Sequence, residues 1–131
     1  MKKYTLTGRS KMRFGKKLYQ IIALKSFGNI EAGDLGGWIE KESNLSHEGN
    51  CWVYPNATVS GNATVFDDAI VSDNAWVHGN ATVCGNACVT GDASVFGKAW
   101  VSGDVWVSGD ASLYGTTTLM GNNCVFSEVT F

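Results

Sequence analysis

At 131 residues the chain is the size of one domain, and 44% hydrophobic with 17% charged residues is the composition of a folded protein. Its formal net charge of -2 supplies no overall pull towards nucleic acid or an anionic membrane, so neither is expected as a partner. No apolar run approaches the roughly 20 residues of a membrane span.

In chain order, the basic Met1–Thr7 segment has no stretch of about 7–15 apolar residues behind it, so no secretory leader is expected and the expected location is the cytoplasm. Tyr4–Thr7 and Leu18–Leu24 read as strands, with the basic Arg9–Lys17 stretch as their hairpin connection. Residues 1–36 have no repeat, and a hairpin here is the natural N-terminal β cap for the repeating region. Gly37–Glu42 and Ser43–Glu48 are imperfect rungs, with Ile39 and Leu45 at the position that later belongs to Ala. Charge divides the same way: residues 1–48 hold nine Lys or Arg against five acids, whereas 49–131 hold one Lys against seven.

From Gly49 to Phe126 the sequence repeats every six residues without a break. Gly61-Asn62-Ala63-Thr64-Val65-Phe66 is a representative unit. The fifth position is Val except at Leu113 and Leu119, and the third is Ala in nine of thirteen hexads. Ala-x-Val alternation is the period of a strand with one buried face, and the Gly-Asn pair tolerates the backbone angles of a sharp corner. An antiparallel meander of such strands would leave its Ala/Val face uncovered. Three hexads coiled into an 18-residue triangular turn point every Val to one axis and stack the strands in parallel, about 4.8 Å apart. The predicted fold is all-β: a single-stranded parallel β-helix of about five triangular turns over residues 37–131, regular from 49, with an N-terminal β-hairpin cap over 1–36.

These hexads resemble the hexapeptide repeat of left-handed parallel β-helices, the fold of many acyltransferases. The Leu18–Gly28 and Gly33–Glu40 segments resemble a narrower group of short hexapeptide proteins of enterobacteria and tailed phages, often labelled acyltransferases. The resemblance implies the left hand, a bacteriophage or prophage origin, and packing as a homotrimer, or failing that a dimer. It also implies the alternative activity, transfer from an acyl-CoA substrate with one His as general base at a cleft between subunits.

Stacking at a spacing of 18 sorts the outward residues into columns. One column holds Trp52, Ile70, Cys88, Trp106 and Cys124, with Tyr54 and Phe126 beside it. A second holds Thr58, Trp76, Ser94 and Ser112, flanked by Ser60, His78, Phe96 and Tyr114. The third holds Thr64, Thr82, Trp100 and Thr118. So many outward aromatics point to a face covered by another subunit. Trp52, Ile70, Trp106, Tyr54, Phe126, Trp76, Phe96 and Tyr114 are the candidate interface and binding residues. His78 is the candidate base if the protein is an acyltransferase, and His47 lies inward on an imperfect rung. Cys51 reads as small core, while Cys88 and Cys124 are separated by the Trp106 turn and lie beyond disulfide reach. No metal site is expected, because a three-His zinc centre needs more than the two His present. With no looped-out insertion to wall an acceptor site, the reading is a non-catalytic oligomeric binding or scaffold solenoid, without a cofactor, that holds a small ligand or partner at intersubunit clefts. A phage protein that sequesters a host factor is the third reading.

Overall fold

Every hexad forms one short strand and one corner, and the corners turn the chain into a three-sided coil of about five turns. The computed structural model describes residues 2–13, 15–122, 124–125 and 129–130. One face stacks Thr58–Val59, Trp76–Val77, Ser94–Val95 and Ser112–Tyr114 in parallel. The second stacks Trp52–Val53, Ile70–Val71, Cys88–Val89, Trp106–Val107 and Cys124–Val125. The third stacks Thr64–Val65, Thr82–Val83, Trp100–Val101 and Thr118–Leu119. Partners within these stacks lie 18 residues apart, as the hexad frame predicts, whereas Val129–Thr130 pairs with Leu113 and Tyr114 at a spacing of 16. Val53, Val71, Val89 and Val107 form one interior column at 0% exposure, lined by the Ala residues of the third position.

The opening turn departs from the expected frame. Ile39 pairs with Val59, and Leu45 bridges to Val65, so both stand in the Val column rather than the Ala column. Their spacing to the next turn is 20 residues rather than 18, because two extra residues are taken up between Leu45 and Val53. An offset of two preserves the alternation of a strand, so inward side chains stay inward. Fully buried Asn44 secures this turn: its Oδ1 accepts from Glu40 N and Lys41 N, and its Nδ2 donates to Gly61 O and Ala63 O.

The N-terminal hairpin is longer than predicted. Strand β1 (Tyr4–Arg13) and strand β2 (Lys16–Ala23) continue through the basic stretch, which is therefore paired strand and not connection. Strand β2 pairs antiparallel with β3 (Leu35–Ile39), which pairs in parallel with Thr58–Val59, so the hairpin extends the first face of the coil. Tyr4, Ile21, Ala23 and Ile30 join the Val column in one core. The tip curls back along the outside of that face. Lys11 Nζ lies 4.3 Å from the Trp38 ring and the Arg13 guanidinium 5.8 Å from the Trp76 ring, close enough for cation–π attraction.

Candidate functional site

The aromatic side chains beside the first face form a ladder. His78 stacks on Trp76 at 3.8 Å between ring centroids, on Phe96 at 4.9 Å, and Phe96 on Tyr114 at 5.3 Å. The cause is the register: residues 78, 96 and 114 occupy the same hexad position on successive turns, one strand spacing apart. The imidazole is thus covered on both faces, and burial pushes its pKa below the usual histidine value. It is held neutral near pH 7, with an edge left to the outside.

That edge lines a cleft of about 400 Å³ between the hairpin tip and the first face, together with Lys16, Ser60, Gly61, Asn62, Trp76, Gly79 and Asn80. Trp76 Nε1 donates to Ser60 Oγ at 3.0 Å and fixes the indole against its floor. Lys16 Nζ stands 3.8 Å from Glu40 Oε2, and Lys41 Nζ donates to Asn62 Oδ1 at 2.8 Å. The hexad pattern exposed His78 and Trp76 as candidates but not Lys16. The hairpin tip lies outside the repeat, and nothing in its sequence says where it lands.

The corners carry a second regularity. Asp67 and Asp73 replace the corner glycine yet keep its left-handed backbone, with φ of 60° and 56°. Each carboxylate accepts from the corner N–H one turn on: Gly85 N to Asp67 Oδ2 at 3.1 Å, and Gly91 N to Asp73 Oδ2 at 3.2 Å. Glu40 Oε1 accepts from Gly61 N at 2.7 Å in the same way.

The predicted interface column has a different fate at each end. Trp52 is entirely covered by its own chain, with Phe27 edge-on at 5.4 Å and Tyr4 at 6.3 Å, so it is withdrawn from any partner. The hexad frame placed it outward correctly, but the non-repeating segment that folds over it was not readable from the period. Tyr54 and Ile70 are half-buried against the core, whereas Trp106 is 52% and Trp100 45% exposed. Phe126 lies outside the described residues. Trp106 Nε1 donates to Thr90 Oγ1 at 3.2 Å, so like Trp76 it bonds the residue sixteen positions back. Trp100 makes the corresponding contact with Cys84.

A buried cation escaped the sequence pattern. The Lys3 ammonium donates to Cys51 O at 2.7 Å and Gly49 O at 3.3 Å, with Cys51 Sγ at 3.4 Å and the Phe27 ring at 4.6 Å. Burial lowers the Lys3 pKa and raises that of the Cys51 thiol. Beside it His47 stacks on Tyr4 at 4.1 Å and accepts from Lys3 N through Nδ1, which puts the imidazole proton on Nε2, 3.4 Å from Glu42 Oε1. His47 therefore serves the attachment of the N-terminus, on the margin of a second cavity that it lines with Lys25, Phe27 and Glu48. Among the described residues no three His, Cys, Asp or Glu side chains converge as metal ligands. No helix among them is long and apolar enough to cross a membrane.

Residues 57–73, which include Ser60, Gly61 and Asn62 of the cleft and the Asp67/Asp73 corners, match the family model described as YdcK beta solenoid repeat. The chain is also 54% identical over 37 residues to the uncharacterized acetyltransferase YdcK of Escherichia coli (strain K12). That match covers 28% of this chain and 11% of the relative, so the chain spans a small part of the relative's length. Three stacked faces and an unbroken six-residue period make the chain a β-solenoid, and over residues 57–73 its repeat is similar to that of YdcK.

Proposed function

We propose that the protein is a non-catalytic, oligomeric binding solenoid whose ligand occupies the cleft between the hairpin tip and the Trp76/His78 face. The observation that carries this reading is the position of His78 as a rung of a ring ladder. Its two faces are occupied by Trp76 and Phe96, and among the described residues no carboxylate is placed to orient it as a base. The exposed Trp106 supports assembly with further copies, a trimer in first place. The test is an assay for acyl transfer from acetyl-CoA to amine and hydroxyl acceptors. No turnover is expected from the wild type or from His78→Ala.

Acyl transfer is the second reading. It is favoured by a neutral imidazole edge on a cleft of about 400 Å³ and by the acetyltransferase name of the YdcK relative. On this reading acyl-CoA is the substrate and His78 removes the proton of the acceptor. Turnover that falls about 10²–10⁴-fold in His78→Ala, the usual effect of losing a general base, would establish it and overturn the first.

A further inference from the structure

Three corner N–H groups of this coil donate to a carboxylate supplied by an earlier turn: Gly85 to Asp67, Gly91 to Asp73 and Gly61 to Glu40. The first N–H of a corner therefore points back along the coil, and an acidic oxygen is what the chain repeatedly places there. At Gly79 the residue one turn back is Gly61, which has no side chain, and among the described residues no acceptor stands on the Gly79 N–H. A Cβ on Gly61 would meet the nitrogen and the oxygen of Gly79 at 3.0 Å, a close contact, whereas glycine leaves the Gly79 N–H beside the cleft that both residues line. Gly97, Gly103, Gly109, Gly115 and Gly121 also follow a glycine one turn back, but none of them lines this cleft.

We propose that this cleft binds the carboxylate of a small organic acid, one oxygen accepting from the Gly79 N–H and the charge being met by Lys16. The bound group reproduces what Asp67 and Asp73 do within the chain. Lys16 lines the cleft and Lys41 bonds its Asn62, against the one carboxylate of Glu40 beside Lys16, which leaves a positive balance. A carboxylate that accepts from backbone N–H beside an ammonium forms charge-assisted bonds, roughly twice as strong as neutral ones. Trp76 and the His78 edge wall the rest of the acid. This inference rests on the reading of the cleft as a ligand site and names the chemistry it selects.

The test is a titration of the ¹⁵N-labelled full chain with sodium acetate, referenced to sodium chloride at equal ionic strength, reading the amide signals of Gly79 and Gly97. Acetate is expected to displace the Gly79 signal saturably and leave Gly97 in place. Lys16→Gln should weaken the apparent affinity about two- to fivefold, the effect of one exposed ion pair. Gly61→Asp installs the residue already accommodated at corners 67 and 73, and should hold Gly79 at its acetate-bound position with no acetate added. A Gly79 signal indifferent to acetate, or equally responsive to chloride, overturns the proposal. So does a stronger response to inorganic phosphate, which would replace the carboxylate by another anion. If Gly61→Asp does not fold, Lys16→Gln decides, and unchanged affinity overturns the proposal. Binding of acetyl-CoA at these residues without any response to acetate overturns this inference alone and leaves the cleft a ligand site.

Discussion

Lys3 Nζ lies 2.7 Å from the carbonyl oxygen of Cys51 and 3.4 Å from its Sγ, and both residues are at 0% exposure. The contact ties the third residue of the chain to the first regular rung, across the two-residue lengthening of the opening turn. Lys3→Met keeps most of the stem but strips the Cys51 and Gly49 carbonyls of their donor. Leaving a buried acceptor unsatisfied costs about 1–3 kcal/mol. The midpoint of chemical denaturation should fall accordingly, and an unchanged midpoint would show that the ammonium is not a structural tie.

His78 makes folding stability depend on pH in a defined direction. Its folded-state pKa is depressed by burial, so below the ordinary value of 6.5 the unfolded chain takes up the proton first. The contribution is complete above pH 6.5 and declines as the pH falls towards the folded pKa. His78→Phe keeps a ring in the ladder and removes the titration. The wild type should lose more melting temperature than His78→Phe between about pH 7.5 and 5.5, and parallel curves would contradict the burial of this imidazole.

Asp67 separates two effects at one corner. Asp67→Gly relieves the cost of a side chain at φ of 60° and loses the bond to Gly85 N, whereas Asp67→Ala loses the bond and keeps a Cβ in the left-handed region. That conformation costs roughly 1–2 kcal/mol for a residue with a Cβ. Thermal denaturation should rank both wild type and Asp67→Gly above Asp67→Ala, and equal stability of the two variants would remove the conformational argument.

Trp106 is expected to carry assembly. Burying a large apolar side chain contributes about 1.5–3 kcal/mol relative to leaving it in water, and this indole is 52% exposed on the single chain. Trp106→Asp should shift light scattering from oligomer to monomer while the circular dichroism of the coil is unchanged. A wild type that is monomeric at micromolar concentration would assign this tryptophan a purely local role through its bond to Thr90.

The regular part of the coil was legible because one cause acts at every rung. Val and Ala must face the axis and Gly-Asn must turn the corner, so register and columns follow from the period alone. The opening turn was not, because an insertion of two residues leaves hydrophobic parity untouched and thus leaves no mark on the pattern of Ile39 and Leu45. Trp52 shows the same limit from outside: its direction follows from the hexad, but its burial depends on Phe27 and Tyr4, which no repeat constrains. The cleft combines both kinds of information. Trp76 and His78 were visible as outward residues of one rung, whereas Lys16 arrives on a hairpin placed by its long-range pairing with β3, where Lys11 meets Trp38 and Arg13 meets Trp76.

Because the corner bonds Asn62 to Asn80, Asp67 to Gly85, Asn74 to Asp92 and Asn86 to Asp104 each span 18 residues, one full turn, the coil is built in interchangeable quanta. Duplicating or excising one whole turn would preserve every such pairing and lengthen or shorten the rod by about 4.8 Å. Removing a single hexad would keep Val inside but carry each outward column around to the next face of the triangle, dismantling the ring ladder of His78, Phe96 and Tyr114 while leaving the core intact. The length of such a rod can thus vary freely in relatives or designed variants, but only in steps that return each side chain to its own side.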